Sequence, residues 1–194
     1  GMNNLLIDMK LDSGFVHALA ARVTGYMIEV GITQIEKYNL PGIWIADDVS
    51  YEKGMFFSPE LYYEFIFPFL QKMCVQFKKL GAKVVYHSDG DCRSIIPMLI
   101  EAGVDALQPL EARAGLDVQE LKEKYGDKLA FIGNVDIKIL TKGLKKKICS
   151  ELKRKLDIAK EGGYIIGSSH SIGIDVPLEH YLFMVNFIHE NGTL

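Results

Sequence analysis

Five short apolar runs, each closed by a polar or ionisable residue and each followed by a helical pattern, constrain this chain more than any other feature. GIWIADD ends in Asp47 and Asp48, KVVYHSD in His87 and Asp89, and DALQPLE in Glu111. LAFIGNVD ends in Asn134 and Asp136, and GYIIGSSH in His170. Each run is continuous and rich in β-branched or aromatic residues, as a strand buried on both faces is. Helical patterns are predicted over 13–38, 59–80, 93–102, 117–125, 144–161 and 177–190. The second opens with Ser58-Pro59-Glu60, a cap followed by proline at the first helical position. Gly81, Gly103, Gly126 and Gly162 stand where helix gives way to strand.

The order is therefore one helix followed by five strand–helix units. Such alternation predicts an α/β fold with a parallel sheet and right-handed crossovers. In these sheets functional residues gather at the C-terminal ends of the strands. Five polar endings in succession point to a shared site there, although turns also favour Asp and Asn. No linker or low-complexity segment interrupts the pattern, so residues 1–194 are expected to form a single domain.

Composition narrows the function. Of 194 residues 48% are apolar, enough for a substantial core, and the formal net charge is −3. No basic stripe suggests nucleic acid. The cationic run from Lys142 to Lys155 alternates with Leu144, Ile148, Leu152 and Leu156, the pattern of a solvated face on an amphipathic helix. No apolar run approaches the ~20 residues of a membrane helix. Cys74, Cys92 and Cys149 form no C-x-x-C pair, and no signal peptide stands out. A reducing, cytoplasmic setting is expected. Gly1 before Met2 reads as an expression scar.

Several residue types at the strand ends carry chemistry. His87 and Asp89 are alternate residues and leave their strand on one side. His87 either bonds Asp89 or a carbonyl, or ligates a metal. Asp89 either caps the following helix or joins it as a ligand. His170, in SSHSIG, either organises its turn or belongs to the site. Asp47 and Asp48 form a turn, hold a cation, or act as acid and base. Glu111 and Asp136 are weaker candidates, and Asn134 is expected to fix its loop by bonding to backbone. Cys92 lies on the helix side of its loop and is not expected to ligate. Cys74 and Cys149 are expected to pack within helices. His17, His180 and His189 lie on helices without a role. The aromatic series from Phe56 to Phe69 is expected to pack helices, or to line an apolar mouth for a flat ligand.

The segments FSPELYYEFIFPFLQKM, HSDGDCRSIIPMLIEAGVDALQPLEARAGLDVQELKEKYGDKLAFIGNVD and GGYIIGSSHSIGIDVPLEHY, in this order and spacing, resemble the C-terminal part of the uroporphyrinogen decarboxylase superfamily. The resemblance runs from about residue 10 to the end. It implies a partial (β/α)8 TIM-type barrel whose five parallel strands correspond to the fourth to eighth, with helices outside. The superfamily includes the decarboxylase of porphyrin biosynthesis and cobalamin (corrinoid)-dependent zinc methyltransferases. In the latter a His-x-Cys pair and a later Cys hold zinc. His87 matches the first of these positions, Asp89 the second and His170 the third. The resemblance thus implies a divalent metal on His87, Asp89 and His170, with Zn²⁺ favoured and Fe²⁺ or Mn²⁺ suited to the harder donors. Asp48 and Glu111 are the catalytic candidates beside it.

The activity implied is methyl transfer from a methylated corrinoid, carried by a partner corrinoid protein, to a thiol or similar small-molecule substrate. The alternatives are a uroporphyrinogen decarboxylase-type lyase and a non-catalytic truncated barrel serving as a subunit or binding module. Against the lyase, arginines suited to several carboxylates are few, Arg22, Arg93 and Arg113 among them. Counterparts of the first three strands are not found. The strands near 43–47 and 164–168 are therefore expected to be open edges, covered in a homo-oligomer or by a complementary subunit.

Overall fold

A computed structural model describes residues 1–192. The chain opens with two helices, α1 (Met2–Leu11) and α2 (Ser13–Tyr38). Asp12 divides them and caps the second, its Oδ1 accepting from the Phe15 N–H at 3.0 Å. There follow β1 (Gly42–Ala46), a hairpin of β2 (Ser50–Tyr51) and β3 (Gly54–Met55), α3 (Pro59–Phe65) and α4 (Phe67–Lys79). Then come β4 (Lys83–His87), α5 (Ile96–Ala102), β5 (Ala106–Gln108), α6 (Val118–Tyr125) and β6 (Ala130–Val135). The chain continues with α7 (Ile137–Lys142), α8 (Lys145–Ala159), β7 (Tyr164–Ser168) and α9 (Leu178–Asn191).

The five expected strands form one parallel sheet in the order β1-β4-β5-β6-β7. Alternation divides its faces. Ile45, Val84, Tyr86, Leu107 and Phe131 are buried under helices. The opposite face carries Trp44, Val85, Ile132 and Ile165, of which Trp44 is 53% and Ile165 63% exposed. A closed barrel fills that interior with side chains from strands opposite. Here β1 and β7 are edges, as a partial barrel requires.

Local details depart from the sequence pattern where one residue intervenes. The expected helix over 59–80 breaks at Ile66, because Pro68 donates no hydrogen bond and its ring crowds the preceding turn. Gly103 closes α5 in the left-handed region at φ 95°, whereas Gly126 stays helical at φ −64° and serves no such turn. Lys155 is not solvated: it is 1% exposed, and its ammonium meets Asn134 Oδ1, Glu151 at 3.5 Å and Asp117 at 3.7 Å. Helices α1 and α7 and the β2–β3 hairpin have no counterpart in the sequence pattern. Among the described residues no helix is long and apolar enough to cross a membrane.

Candidate metal centre at the strand rim

His87 ends β4, and the sheet register sets it between Ala46 of β1 and Gln108 of β5 on the open face. Its Nδ1 bonds Gln108 Oε1. With that oxygen as acceptor, Nδ1 carries the hydrogen and Nε2 presents its lone pair. Nε2 faces Asp48 Oδ1 at 3.5 Å and Asp89 Oδ1 at 4.0 Å. A lone pair converging on two carboxylates repels them until a cation, a proton or a metal ion, lies between. One ligand atom from each of Asp48, His87 and Asp89 lies within 4.8 Å of the others.

Backbone contacts hold the loop after β4 in this arrangement. Asp48 Oδ1 accepts from the Asp89 N–H at 2.9 Å, joining the ends of β1 and β4. Ser50 Oγ donates to the Asp89 carbonyl at 2.6 Å, and the Asp91 N–H donates to the Tyr51 carbonyl at 2.9 Å. Gly90, at φ 83°, lies so close to the Tyr51 backbone that a β-carbon would overlap it. Its N–H donates to Glu111 Oε2 at 2.8 Å. The hairpin is thus a clamp on the loop after β4, and Glu111, 8% exposed, is an inward brace for the same loop.

The remaining candidates fall around this group. His170 Nε2 approaches Asp89 Oδ2 at 3.4 Å, the carboxylate oxygen other than the one nearest His87. The expected trio of His87, Asp89 and His170 is therefore joined through Asp89, and Asp48 completes the compact group. Asp47 turns toward the core, where Tyr86 Oη donates to its Oδ2 at 3.4 Å. Burial pushes its carboxyl up to about 6, with the Asp48 charge adding and the Tyr86 bond opposing. Asn134 is an internal brace: its Nδ2 donates to the Leu110 and Leu116 carbonyls at 2.8 Å each, and its Oδ1 accepts from Val118 N–H and Lys155. Asp136 caps α7, accepting from the Lys138 N–H at 2.8 Å. Cys92 is 1% exposed, and burial pushes its thiol up to about 12, which leaves it without a ligand's character.

Sequence reasoning missed Gln108, whose only signal is an amide closing an otherwise apolar run. It also missed a fourth arginine, Arg154, bound to Asp117 at 2.8 Å and Glu151 at 3.4 Å. Arg93 is held by Asp91 through two bonds of 2.8 and 2.7 Å.

The model of the uroporphyrinogen decarboxylase (URO-D) family matches residues 1–191. A uroporphyrinogen decarboxylase of Pelodictyon phaeoclathratiforme is 24% identical over 191 residues, covering 95% of this chain and 52% of that protein. One from Legionella pneumophila (strain Lens) is 28% identical over 178 residues, covering 89% and 46%. A solved methyltransferase from Methanosarcina mazei superposes with a TM-score of 0.79 at 22% identity, covering 98% of this chain and 53% of that one. That likeness is one of fold alone, and the fold is that of a partial barrel. The chain spans about half the length of the curated relatives it matches.

Proposed function

The chain belongs to the uroporphyrinogen decarboxylase family, and on that premise we propose that its rim holds one divalent metal on Asp48, His87 and Asp89 and serves methyl transfer. The methyl group would come from a methylated corrinoid on a partner protein and pass to a thiol or similar small acceptor. The observation that carries the metal is the His87 ring: Nδ1 tied to Gln108, Nε2 facing two carboxylates. One imidazole and two carboxylates suit Zn²⁺, Mn²⁺ or Fe²⁺, and their two negative charges match a dication. Such an ion would keep a thiol as thiolate, the stronger nucleophile. The chain's own residues set the geometry: Gln108 fixes the His87 tautomer, Glu111 and the hairpin fix Asp89, and His170 meets the second oxygen of Asp89. The corrinoid, as methyl-donating substrate, would give up its methyl group to the sulfur, the sulfur–carbon bond forming as the cobalt–carbon bond breaks with its electron pair left on cobalt.

The relatives' names favour a second reading, decarboxylation of a tetrapyrrole with several carboxylates. The distribution of charge supports the first. The rim gathers Asp48, Asp89 and Glu111, while Arg93 is neutralised by Asp91 and Arg154 by Asp117 and Glu151. A third reading, a binding module without chemistry, makes no use of the clamp around Asp89.

The test is anaerobic titration of the chain with Zn²⁺, Mn²⁺ and Fe²⁺, followed by calorimetry and thermal melting. One equivalent should bind and raise the melting temperature. Free metal at ten times the dissociation constant stabilises by ~1.4 kcal/mol. His87→Ala and Asp48→Ala should abolish the rise, and His170→Ala should only reduce it. No shift with any metal defeats the reading. A shift that survives both substitutions places the metal elsewhere. Methyl transfer is then read as loss of methylcobalamin absorbance with added thiol.

A further inference from the structure

Lys155 stands where an apolar side chain would serve the core as well. It follows Ile148 and Leu152 on the buried stripe of α8 and is 1% exposed. Taking an ammonium out of water is costly, and a well-packed apolar residue in place of a buried ion pair is often as stable or more so. The ammonium meets Asn134 Oδ1, Glu151 Oε1 at 3.5 Å and Asp117 Oδ2 at 3.7 Å. Arg154 meets the carboxylates of Asp117 and Glu151 as well, at 2.8 and 3.4 Å. Those two acids therefore have a cation without Lys155, whereas Asn134 has no second one.

What the ammonium supplies to Asn134 is direction. A side-chain amide has an accepting end and a donating end of nearly the same shape. An ammonium offers only hydrogens, and so does the Val118 N–H at 2.9 Å. Oδ1 has to face these two, which leaves Nδ2 to donate to the Leu110 and Leu116 carbonyls at 2.8 Å each. A charged donor on Oδ1 also polarises the amide and strengthens the bonds its hydrogens make. From Leu110 the path to the rim is short. Glu111 is the next residue, and its Oε2 accepts from the Gly90 N–H at 2.8 Å, directly after Asp89. The backbone seats the same loop: the Asn134 N–H donates to the Pro109 carbonyl at 3.0 Å.

We infer that Lys155 is a positioning residue for the rim: it orients Asn134, Asn134 seats the loop that carries Glu111, and Glu111 holds Gly90 and with it Asp89 beside His87. Every link lies on the three inner strands of the sheet, β4, β5 and β6, and on the segments that follow them. The consequence for a bound ion rests on the metal site proposed above, whereas the placement of Gly90 rests on the hydrogen bonds alone.

The test compares Lys155→Met, which fills the space but has no hydrogen to donate, with Leu152→Ala. The latter weakens the same buried stripe without removing a hydrogen bond. In metal-free chain, amide hydrogen exchange is followed by NMR at Gly90 and at Val84, whose N–H donates to Asp105 at the far end of β4. In Lys155→Met the Gly90 amide should exchange about tenfold faster relative to Val84, roughly the net worth of one hydrogen bond. In Leu152→Ala that ratio should not change. Calorimetry with Zn²⁺, at a temperature where all chains are folded, should show a dissociation constant raised about tenfold in Lys155→Met and unchanged in Leu152→Ala. If Lys155→Met does not fold, Lys155→Gln takes its place, because an amide keeps the space polar yet can offer either end to Asn134. An unchanged Gly90 ratio in the Lys155 variant overturns the inference. So does a Leu152→Ala chain that moves Gly90 or zinc as far, since loss of packing would then explain both. A native chain that binds no Zn²⁺ defeats the metal reading and leaves the Gly90 ratio to decide this one. Zinc bound equally well by the native and Lys155 variant chains overturns it.

Discussion

Asn134→Ala should be among the most damaging single substitutions in the chain, although Asn134 does not touch the ligand group. Its side chain is 1% exposed and makes four bonds, two donated to the Leu110 and Leu116 carbonyls and two accepted from Val118 N–H and Lys155. Alanine leaves two carbonyls, one N–H and one ammonium in a buried space. At about 1 kcal/mol for each neutral group and about 2 kcal/mol for the ammonium, the loss is about 5 kcal/mol. Asn134 also sits at φ 70°, where alanine costs roughly 1 kcal/mol more, and water entering the void offsets about as much. A net loss near 5 kcal/mol would be a third or more of the ~5–15 kcal/mol that holds a domain together. Urea unfolding followed by circular dichroism measures it. The metal-dependent rise in melting temperature should fall too, because the loop from Leu110 carries Glu111, which holds Gly90 beside Asp89. A loss below about 1 kcal/mol with an unchanged urea slope refutes the reasoning, since it would mean the four partners satisfy one another without the amide.

Other outcomes follow from neighbouring features. Gly90→Ala should cost about 3 kcal/mol, from the left-handed backbone and the overlap with Tyr51, and should remove metal binding measured by calorimetry. Burial alone would raise the Asp117 carboxyl, but Lys155, the Gln119 N–H and Arg154 outweigh it and hold it below its usual 3.8. A depressed carboxylate stabilises above its unfolded value and loses that contribution as the pH falls through its folded one. The stability gap between the native chain and Asp117→Asn, measured by denaturation across pH, should therefore narrow as the pH drops below 3.8. Burial pushes the Cys74 and Cys92 thiols up to about 11 and about 12, while Cys149 is partly exposed. A disulfide reagent should accordingly titrate one thiol quickly in the native chain and three in denaturant. In an anaerobic assay with uroporphyrinogen, the chain should form no coproporphyrinogen, and its accumulation would favour the decarboxylase reading.

The expected burial of each strand on both faces is not met, since Trp44 and Ile165 lie on the open face. The strands were nonetheless legible because both faces of each carry apolar residues and leave an uninterrupted run, and all five runs are strands of one sheet. The hairpin was not, because two residues per strand carry no period, and only Gly54, at φ 137°, marks its turn. Lys155 shows a different failure. On α8 the residues Ile148, Leu152 and Lys155 follow one another at helical spacing on the buried stripe, so position indicated burial while residue type indicated solvent. Position prevailed because Asn134, Asp117 and Glu151 satisfy the ammonium there. Burial still lowers its affinity for the proton, against the pull of Glu151 and Asp117.

The rim was legible as a layer of polar strand ends, with His87 and Asp89 among the candidate ligands. That Asp48 rather than His170 closes the compact group was not, because alternation gives consecutive residues opposite surroundings. Asp47 turns to Tyr86 in the core while Asp48 meets His87. Ser88 turns inward against Ser50 while His87 and Asp89 face the group. The register of β1, β4 and β5, which sequence does not display, then decides that His87 stands beside Gln108. The polar ends consequently divide into two kinds of work. Asp48, His87 and Asp89 present donors outward, and Asn134, Glu111 and Asp47 brace the loops that carry them. Substitutions should separate the two kinds: a ligand change removes metal binding with little loss of fold, whereas a brace change lowers both together.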